Sequence, residues 1–311
     1  MTPALEVRGL TKRFRSLTAV GDVSFQVERG SIIGFIGPNG AGKTTTMRIC
    51  STLELPDSGD VFVEGHSVLD DPREVRKRLG FMPDSYGAYP HTTIWEYLDF
   101  YARAYGLRRE ARRRRVGEVL DFTSLAQLQA KEIATLSKGL KQRLCLAKTL
   151  LHDPSVMILD EPAAGLDPRA RVELRELVRA LASMGKAILI SSHILTELAE
   201  MCDGIAVIER GRLKASGTVS ELTKALRPSA LVYLRTLQGA EASERALVEL
   251  PGVERVRRER EGVVFEHVGT EEDRAALLAQ LVQRGLSPTE FSPQSVNLEE
   301  VFLSLTEGKL Q

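Results

Sequence analysis

The chain has no run of about 18 apolar residues, the length that spans a bilayer core, and its first residues, "MTPALEVRGL", hold no basic segment leading into an apolar one. It is therefore expected neither to enter nor to cross a membrane by itself. Cysteine is scarce: Cys50, Cys145 and Cys202 are widely spaced, odd in number and unaccompanied by a CxxC pair or a histidine cluster. That leaves no basis for a disulfide framework or a zinc site and fits a reducing cytosol. Neither sign of charge is in excess, with Lys+Arg and Asp+Glu both at 42, which excludes wholesale attraction to nucleic acid or anionic lipid and leaves partner choice to local surfaces. Internal repeats and low-complexity tracts are also missing, so solenoids and disordered tails are not expected. What is present is 311 residues, 43% apolar and 27% charged. That is an ordinary globular composition, long enough for a principal core and a smaller appended unit.

Two stretches of β character, "LEVRGLTKRF" and "VSFQVERGSIIGFIG", are separated by the turn-forming "VGD". The second ends at Gly37, where a glycine-rich loop begins, and "KTTTMRIC" then continues without a breaker as a helix. From about Ile94 to Leu151 the character is helical, with an arginine-rich segment from Arg108 to Arg115. Glu110 interrupts that segment and no aromatics interleave it, so it reads as a solvated helix face rather than a nucleic-acid stripe. Strand-like "SVMILDEP" and "KAILISSH" flank the helix "RARVELRELVRALASMG", and such βαβ alternation implies a largely parallel, buried sheet. "GIAVIERGRLKASG" reads as a hairpin turning at Arg210 and Gly211. The pattern breaks near "LRPSA", and a small α/β domain is expected from about residue 227. It ends in a helix capped by Asn297 and Glu300, with Leu298, Val301, Phe302 and Leu305 on one face.

Gly37, Gly42, Lys43 and Thr44 satisfy GxxxxGK[ST] between a strand and a helix. In that setting backbone N–H groups curl around phosphates, Lys43 supplies charge to the β- and γ-phosphates, and the Thr44 hydroxyl serves Mg²⁺. Asp160 ends an apolar strand and is followed at once by Glu161. One carboxylate can hold Mg²⁺ through water while the other orients or deprotonates an attacking water, or the pair can be a solvated strand end. His193 follows the next strand, as a structural histidine or as a γ-phosphate contact. "LSKGLKQR", residues 136–143, opens a helix with Ser137 and Gly139. This is either an ordinary serine cap or a second phosphate cradle belonging to another molecule's nucleotide.

Taken in order, these segments resemble the ATP-binding subunits of ABC transporters over about residues 4–226. Phe14 stands at the adenine-stacking position. "GPNGAGKTT", which contributes Gly37, Pro38, Asn39, Gly40, Ala41, Gly42, Lys43, Thr44 and Thr45, stands at Walker A. "LSKGLKQR" stands at the signature, "VMILDEP" at Walker B, "AGLD" (164–167) at the D-loop and His193 at the switch histidine. The resemblance implies an α/β P-loop NTPase with an antiparallel β subdomain, a parallel-sheet core and a helical insertion at about 85–155. Residues 1–226 would form this domain and 227–311 a small accessory domain. It also implies ATP and Mg²⁺ as cofactors, and a head-to-tail pairing, expected as a homodimer, in which Ser137 and Gly139 touch the partner's ATP.

Two segments depart from the family pattern. Lys138 and Leu140 replace two residues of the usual LSGGQ, and Asp84 stands after "LGFMP" where a glutamine is usual; a carboxylate there reaches Mg²⁺ through water. Among the aromatics that follow, Trp95, Leu98 and Tyr101 are expected in a helical core, whereas Tyr86, Tyr89 and Pro90 are expected to meet a membrane subunit. "VNLEEVFLSLTEG" is similar to the tail of subunits that serve separately encoded exporter-type permeases. The expected setting is peripheral, at the cytoplasmic face of the inner (plasma) membrane. Two competing readings are a soluble ABC ATPase acting on ribosomes or DNA, against which stand a single ATPase domain and neutral charge, and a nucleotide binder with negligible turnover.

Overall fold

The structure is a computed structural model that describes residues 2–15, 17–84, 87, 91–192, 198, 200–218, 221–222 and 229–294. They fall into two compact units, one ending at Thr218 and one made by the described residues that follow it.

In the first unit, β1 (Leu5–Phe14) and β2 (Leu17–Val27) form an antiparallel pair that continues through β4 (Ser58–Val63) to β5 (His66–Ser67) in the order β2-β1-β4-β5. The strand expected at Val23 is one part of β2. "VGD" does not separate strands here: Asp22, at φ 56°, lies inside β2, where the pairing with β1 shifts register as at a bulge. The chain reverses instead at Arg15, and the second break falls after Val27, with Gly30 at φ 71° leading into β3 (Ile32–Ile36).

The second sheet has the order β10-β9-β3-β8-β7-β6, drawing on β6 (Leu79–Met82), β7 (Val156–Leu159), β8 (Ala187–Ser191), β9 (Gly204–Glu209) and β10 (Arg212–Thr218). Its strands pair in parallel except for the β9–β10 hairpin, which turns at Arg210 and Gly211 with both φ values positive, as read from the sequence. "VMIL" and "AILIS" are buried at every position, which is why their apolar runs do not alternate. Their core includes Phe35, Met47, Ile158 and Leu189.

The helix α2 (Pro72–Arg78) leads into β6, and between β6 and β7 lie α3 (Ile94–Ala104), α4 (Arg109–Phe122) and α5 (Lys138–Leu150). Thr93 and Glu96 form a reciprocal capping box that fixes the start of α3. Leu98 is buried, and Trp95 and Tyr101 are half-buried. The arginine-rich face is only partly solvated. The Arg112 Nε lies 2.6 Å from Asp99, and Arg115 donates to the Leu150 carbonyl at 2.6 Å, closing the C-terminal end of α5. Tyr86, Tyr89 and Pro90 lie outside the described residues.

In the second unit β11 (Ser229–Thr236), α7 (Ala240–Val248), β12 (Val253–Glu259), β13 (Gly262–Val268), α8 (Glu271–Gln283) and β14 (Pro288–Pro293) form a βαββαβ unit. Its antiparallel sheet has the order β12-β13-β11-β14, the split-βαβ arrangement. Val263, Phe265, Leu247, Leu277 and Leu281 make its core. The helix expected from Asn297 and Glu300 through Leu298, Val301, Phe302 and Leu305 lies outside the described residues.

Candidate functional site

The parallel strands carry their site-forming loops at their carboxyl ends, where crevices of open α/β sheets form. There α1 (Lys43–Cys50) follows β3, with Gly42 as its cap at φ 104°. A Cβ on Gly42 would collide with the Ala19 carbonyl oxygen, and one on Gly37 with that of Ile208. Neither position has room for a side chain. Gly40, at φ 77°, has open space around it. The β9–β10 turn braces the loop, because the Gly211 N–H donates to the Ala41 carbonyl at 2.9 Å.

Lys43 is 7% exposed. Its Nζ donates to the carbonyls of Gly37 (2.6 Å) and Pro38 (3.3 Å), so the loop holds its own ammonium. Burial pulls Lys43 below the usual lysine value, while Glu161 and Asp160 hold it partly up.

Asp160 is 2% exposed. The Ser191 hydroxyl donates to its Oδ1 at 2.6 Å, its N–H donates to the Met82 carbonyl at 2.8 Å, and the Thr44 hydroxyl bonds its carboxylate. Burial pushes Asp160 above the ordinary aspartate value. The charges of Asp84 and Glu161 act the same way, against the hydrogen bonds from Ser191 and Thr44. Glu161 occupies φ 49° and donates its N–H to the Ser191 hydroxyl at 2.9 Å. A non-glycine residue in the left-handed region is strained, a cost commonly found where a side chain must be aimed.

These groups open on a cleft of about 670 Å³ lined by Phe14, Asn39, Gly40, Gly42, Lys43, Thr44, Thr45, Asp84 and Glu161, together with Leu17, Ala19, Lys138 and Ala164. Phe14 is 45% exposed, with the Lys12 ammonium 5.2 Å from its ring centroid. Ser137 and Gly139 are not on this lining. Ser137 caps α5, accepting from the Leu140 N–H at 3.4 Å, and Gly139 has only 3.0 Å between a built Cβ and the Ala170 methyl, at the start of α6 (Pro168–Ser183). His193 lies outside the described residues.

The sequence profile of the family described as ABC transporter matches residues 20–164. The Nod factor export ATP-binding protein I of Ralstonia nicotianae is 34% identical over 305 residues, 98% of this chain and 94% of that protein. The chain belongs to the ABC transporter family. As an ABC subunit it is an ATP-binding protein and an ATPase. The linearmycin resistance ATP-binding protein LnrL of Bacillus subtilis is 30% identical, covering 97% of this chain and 98% of that one. The daunorubicin/doxorubicin resistance ATP-binding protein DrrA of Streptomyces peucetius is 34% identical across 98% and 93%. A solved ATP-binding subunit of an ABC transporter, 33% identical, superposes with a TM-score of 0.65 over 72% of this chain and 93% of its own. Among the described residues of this ABC subunit, no helix is long and apolar enough to cross a membrane.

Sequence reasoning missed Ser191, whose hydroxyl fixes both Walker B positions of the ABC subunit. Its signal lies in strand register: Leu159 pairs with Ile190 across β7 and β8, so Asp160 and Ser191 emerge side by side. Lys138 was read only as a departure from the signature, and its place on the ABC cleft follows from the start of α5.

Proposed function

We propose that this chain powers an exporter-type ABC transporter, working as a head-to-tail homodimer docked on a separately encoded integral membrane subunit at the cytoplasmic face of the plasma membrane. The observation that supports it most is that relatives named for export or for drug resistance align over nearly their full lengths, C-terminal unit included. In this reading residues 1–226 bind and hydrolyse ATP and residues 227–311 are accessory.

Phe14 would stack on adenine, and the N–H groups of residues 37–45 would cradle the phosphates. Lys43, released from its own loop carbonyls, would neutralise them. Buried Asp160 beside the Thr44 hydroxyl, with Asp84 across the cleft, is a hard oxygen set that suits Mg²⁺. Among the described residues no group of three or more His, Cys, Asp or Glu side chains could hold a metal, which fits an ion that shares its ligands with nucleotide phosphates. When bound, the ion offsets charge on those phosphates. Glu161 would take the proton of the attacking water, His193 would contact the γ-phosphate, and Ser137 and Gly139, which are not on the lining of their own cleft, would meet the partner's ATP.

The test is to isolate the tagged chain from its native cells in mild detergent and identify what accompanies it in stoichiometric amount. A multi-spanning membrane protein is expected. Recovery only from the soluble fraction, with ribosomes, DNA or no partner, would overturn the reading.

A further inference from the structure

Phe14 ends β1, just before the reversal at Arg15, and its ring is 45% exposed, so burial alone does not fix it. Its support is Lys12, two residues earlier on β1 and on the same face of the strand. The Lys12 ammonium stands over the Phe14 ring, 5.2 Å from the centroid, within the range of a cation–π contact. That ammonium is itself held. It donates to the Leu55 carbonyl at 2.8 Å, pairs with Glu54 at 2.9 Å and has Asp57 at 3.8 Å. The lysine side chain is only 12% exposed, less than an ordinary surface ion pair leaves it. The segment that holds it is tied back to β1, because the Asp57 N–H donates to the Thr11 carbonyl at 2.8 Å and the Arg13 N–H to the Asp57 carboxylate at 2.6 Å. Phe14 lines the cleft and Lys12 does not. The lysine therefore backs the ring from outside the site.

We propose that Lys12 is a positioning residue for the adenine base: anchored on Glu54 and Leu55, it holds the Phe14 ring ready for stacking and polarises it toward the purine. This role rests on the reading that Phe14 stacks on adenine. A ring already held gives up less freedom when the base settles on it, which raises affinity without any new contact to the nucleotide. The cation also draws ring electron density toward its own side, and the opposite face becomes a better match for an electron-rich purine. Lys12 itself meets no phosphate, since its ammonium is taken up by the Glu54 carboxylate and the Leu55 carbonyl outside the cleft lining. Its effect must therefore pass through Phe14 and depend on the base.

The experiment measures, by isothermal titration with Mg²⁺, the binding of adenylyl imidodiphosphate and of inorganic tripolyphosphate, which has phosphates but no base. The proteins are the full chain as wild type, Lys12→Met, Lys12→Arg, Phe14→Ala and the double variant Lys12→Met with Phe14→Ala. Lys12→Met keeps the apolar stem and leaves the exposed Leu55 carbonyl to water, so it is expected to melt like wild type. It should bind the adenine nucleotide about threefold more weakly while tripolyphosphate affinity stays within about 1.5-fold, and Lys12→Arg should restore binding. In the Phe14→Ala background, Lys12→Met should cause no further loss. An unchanged nucleotide affinity, an equal loss for tripolyphosphate, or the same loss without the Phe14 ring would overturn the proposal; the last two are also what a general loss of folding or of long-range charge would give. Phe14→Ala with wild-type affinity would overturn the stacking reading as well, whereas a weakened Phe14→Ala beside an unaffected Lys12→Met would refute Lys12 alone.

Discussion

The unit ending at Thr218 and the unit that follows it bury their sheets differently. In the first, β9, β3, β8 and β7 run parallel, and the crossovers between them leave a set of loops at one sheet edge. The phosphate loop, Asp84 and Glu161 sit on such loops and line one cleft, with buried Asp160 hydrogen-bonded to Thr44 of that lining. In the second, every strand pairing is antiparallel, and the β12–β13 connection is a two-residue hairpin with Arg260 at φ 54°. Its connections serve register and capping, as in the Thr270–Asp273 capping box. The contrast shows that one edge of a parallel sheet can gather chemistry from distant sequence positions, while an antiparallel sheet of similar regularity need not.

That contrast can be broken most severely at its glycines. Gly42→Val should abolish nucleotide binding, a loss of more than about 100-fold, because the side chain would enter the Ala19 carbonyl in a backbone region that β-branched residues avoid. Gly285, also at positive φ but in open space in the second unit, should as Gly285→Ala cost about 1 kcal/mol of that unit's stability and leave binding unchanged. Isothermal titration with ATP and thermal melts of both variants check the pair. Next, Phe265→Ala should destabilise the second unit by about 3–5 kcal/mol, since the ring is fully buried in its core. Differential scanning calorimetry should show the loss in that unit's transition while ATP still protects the other. A smaller effect is expected at the cleft's mouth: Phe14→Ala removes a half-exposed ring and should weaken ATP about fivefold.

The smallest expected effect depends on pH. With its pKa raised in the folded chain, Asp160 is protonated in both states well below the ordinary aspartate value and carries no penalty there. As pH rises through the raised value, the folded chain must ionise a buried carboxylate and loses stability. Asp160→Asn should therefore raise the melting temperature of the nucleotide-free chain at neutral pH, with the gain vanishing toward pH ~4. A gain independent of pH would show that the charge on Asp160 is not its source.

Much of the first unit was legible because its chemistry is written in contiguous residues. Gly37 to Thr45 is a loop whose glycines have one steric purpose, and "VMILDEP" states a buried strand and its carboxylates together. What was not legible depends on neighbours across the sheet. Ser191 gains its role from the register of β8 on β7. Asp22 looked like a turn residue, yet the pairing of β1 with β2 continues past it and makes it a bulge. Arg112 and Arg115 looked solvent-facing because sequence shows their charge and not the Asp99 carboxylate or the Leu150 carbonyl that folding brings to them. Of the core of the second unit the sequence offered only its start and its alternation of helix and strand, since a βαββαβ core is specified by apolar spacing that many folds share.

The central claim is that the groups gathered at this sheet edge hydrolyse ATP, with Glu161 taking the proton of the attacking water. Steady-state phosphate release with Mg²⁺ and ATP, from wild type and from Glu161→Gln of equal nucleotide affinity, tests it most directly. The account expects turnover in the wild type and a loss of at least about 100-fold in the variant. Equal rates from the two proteins would contradict it.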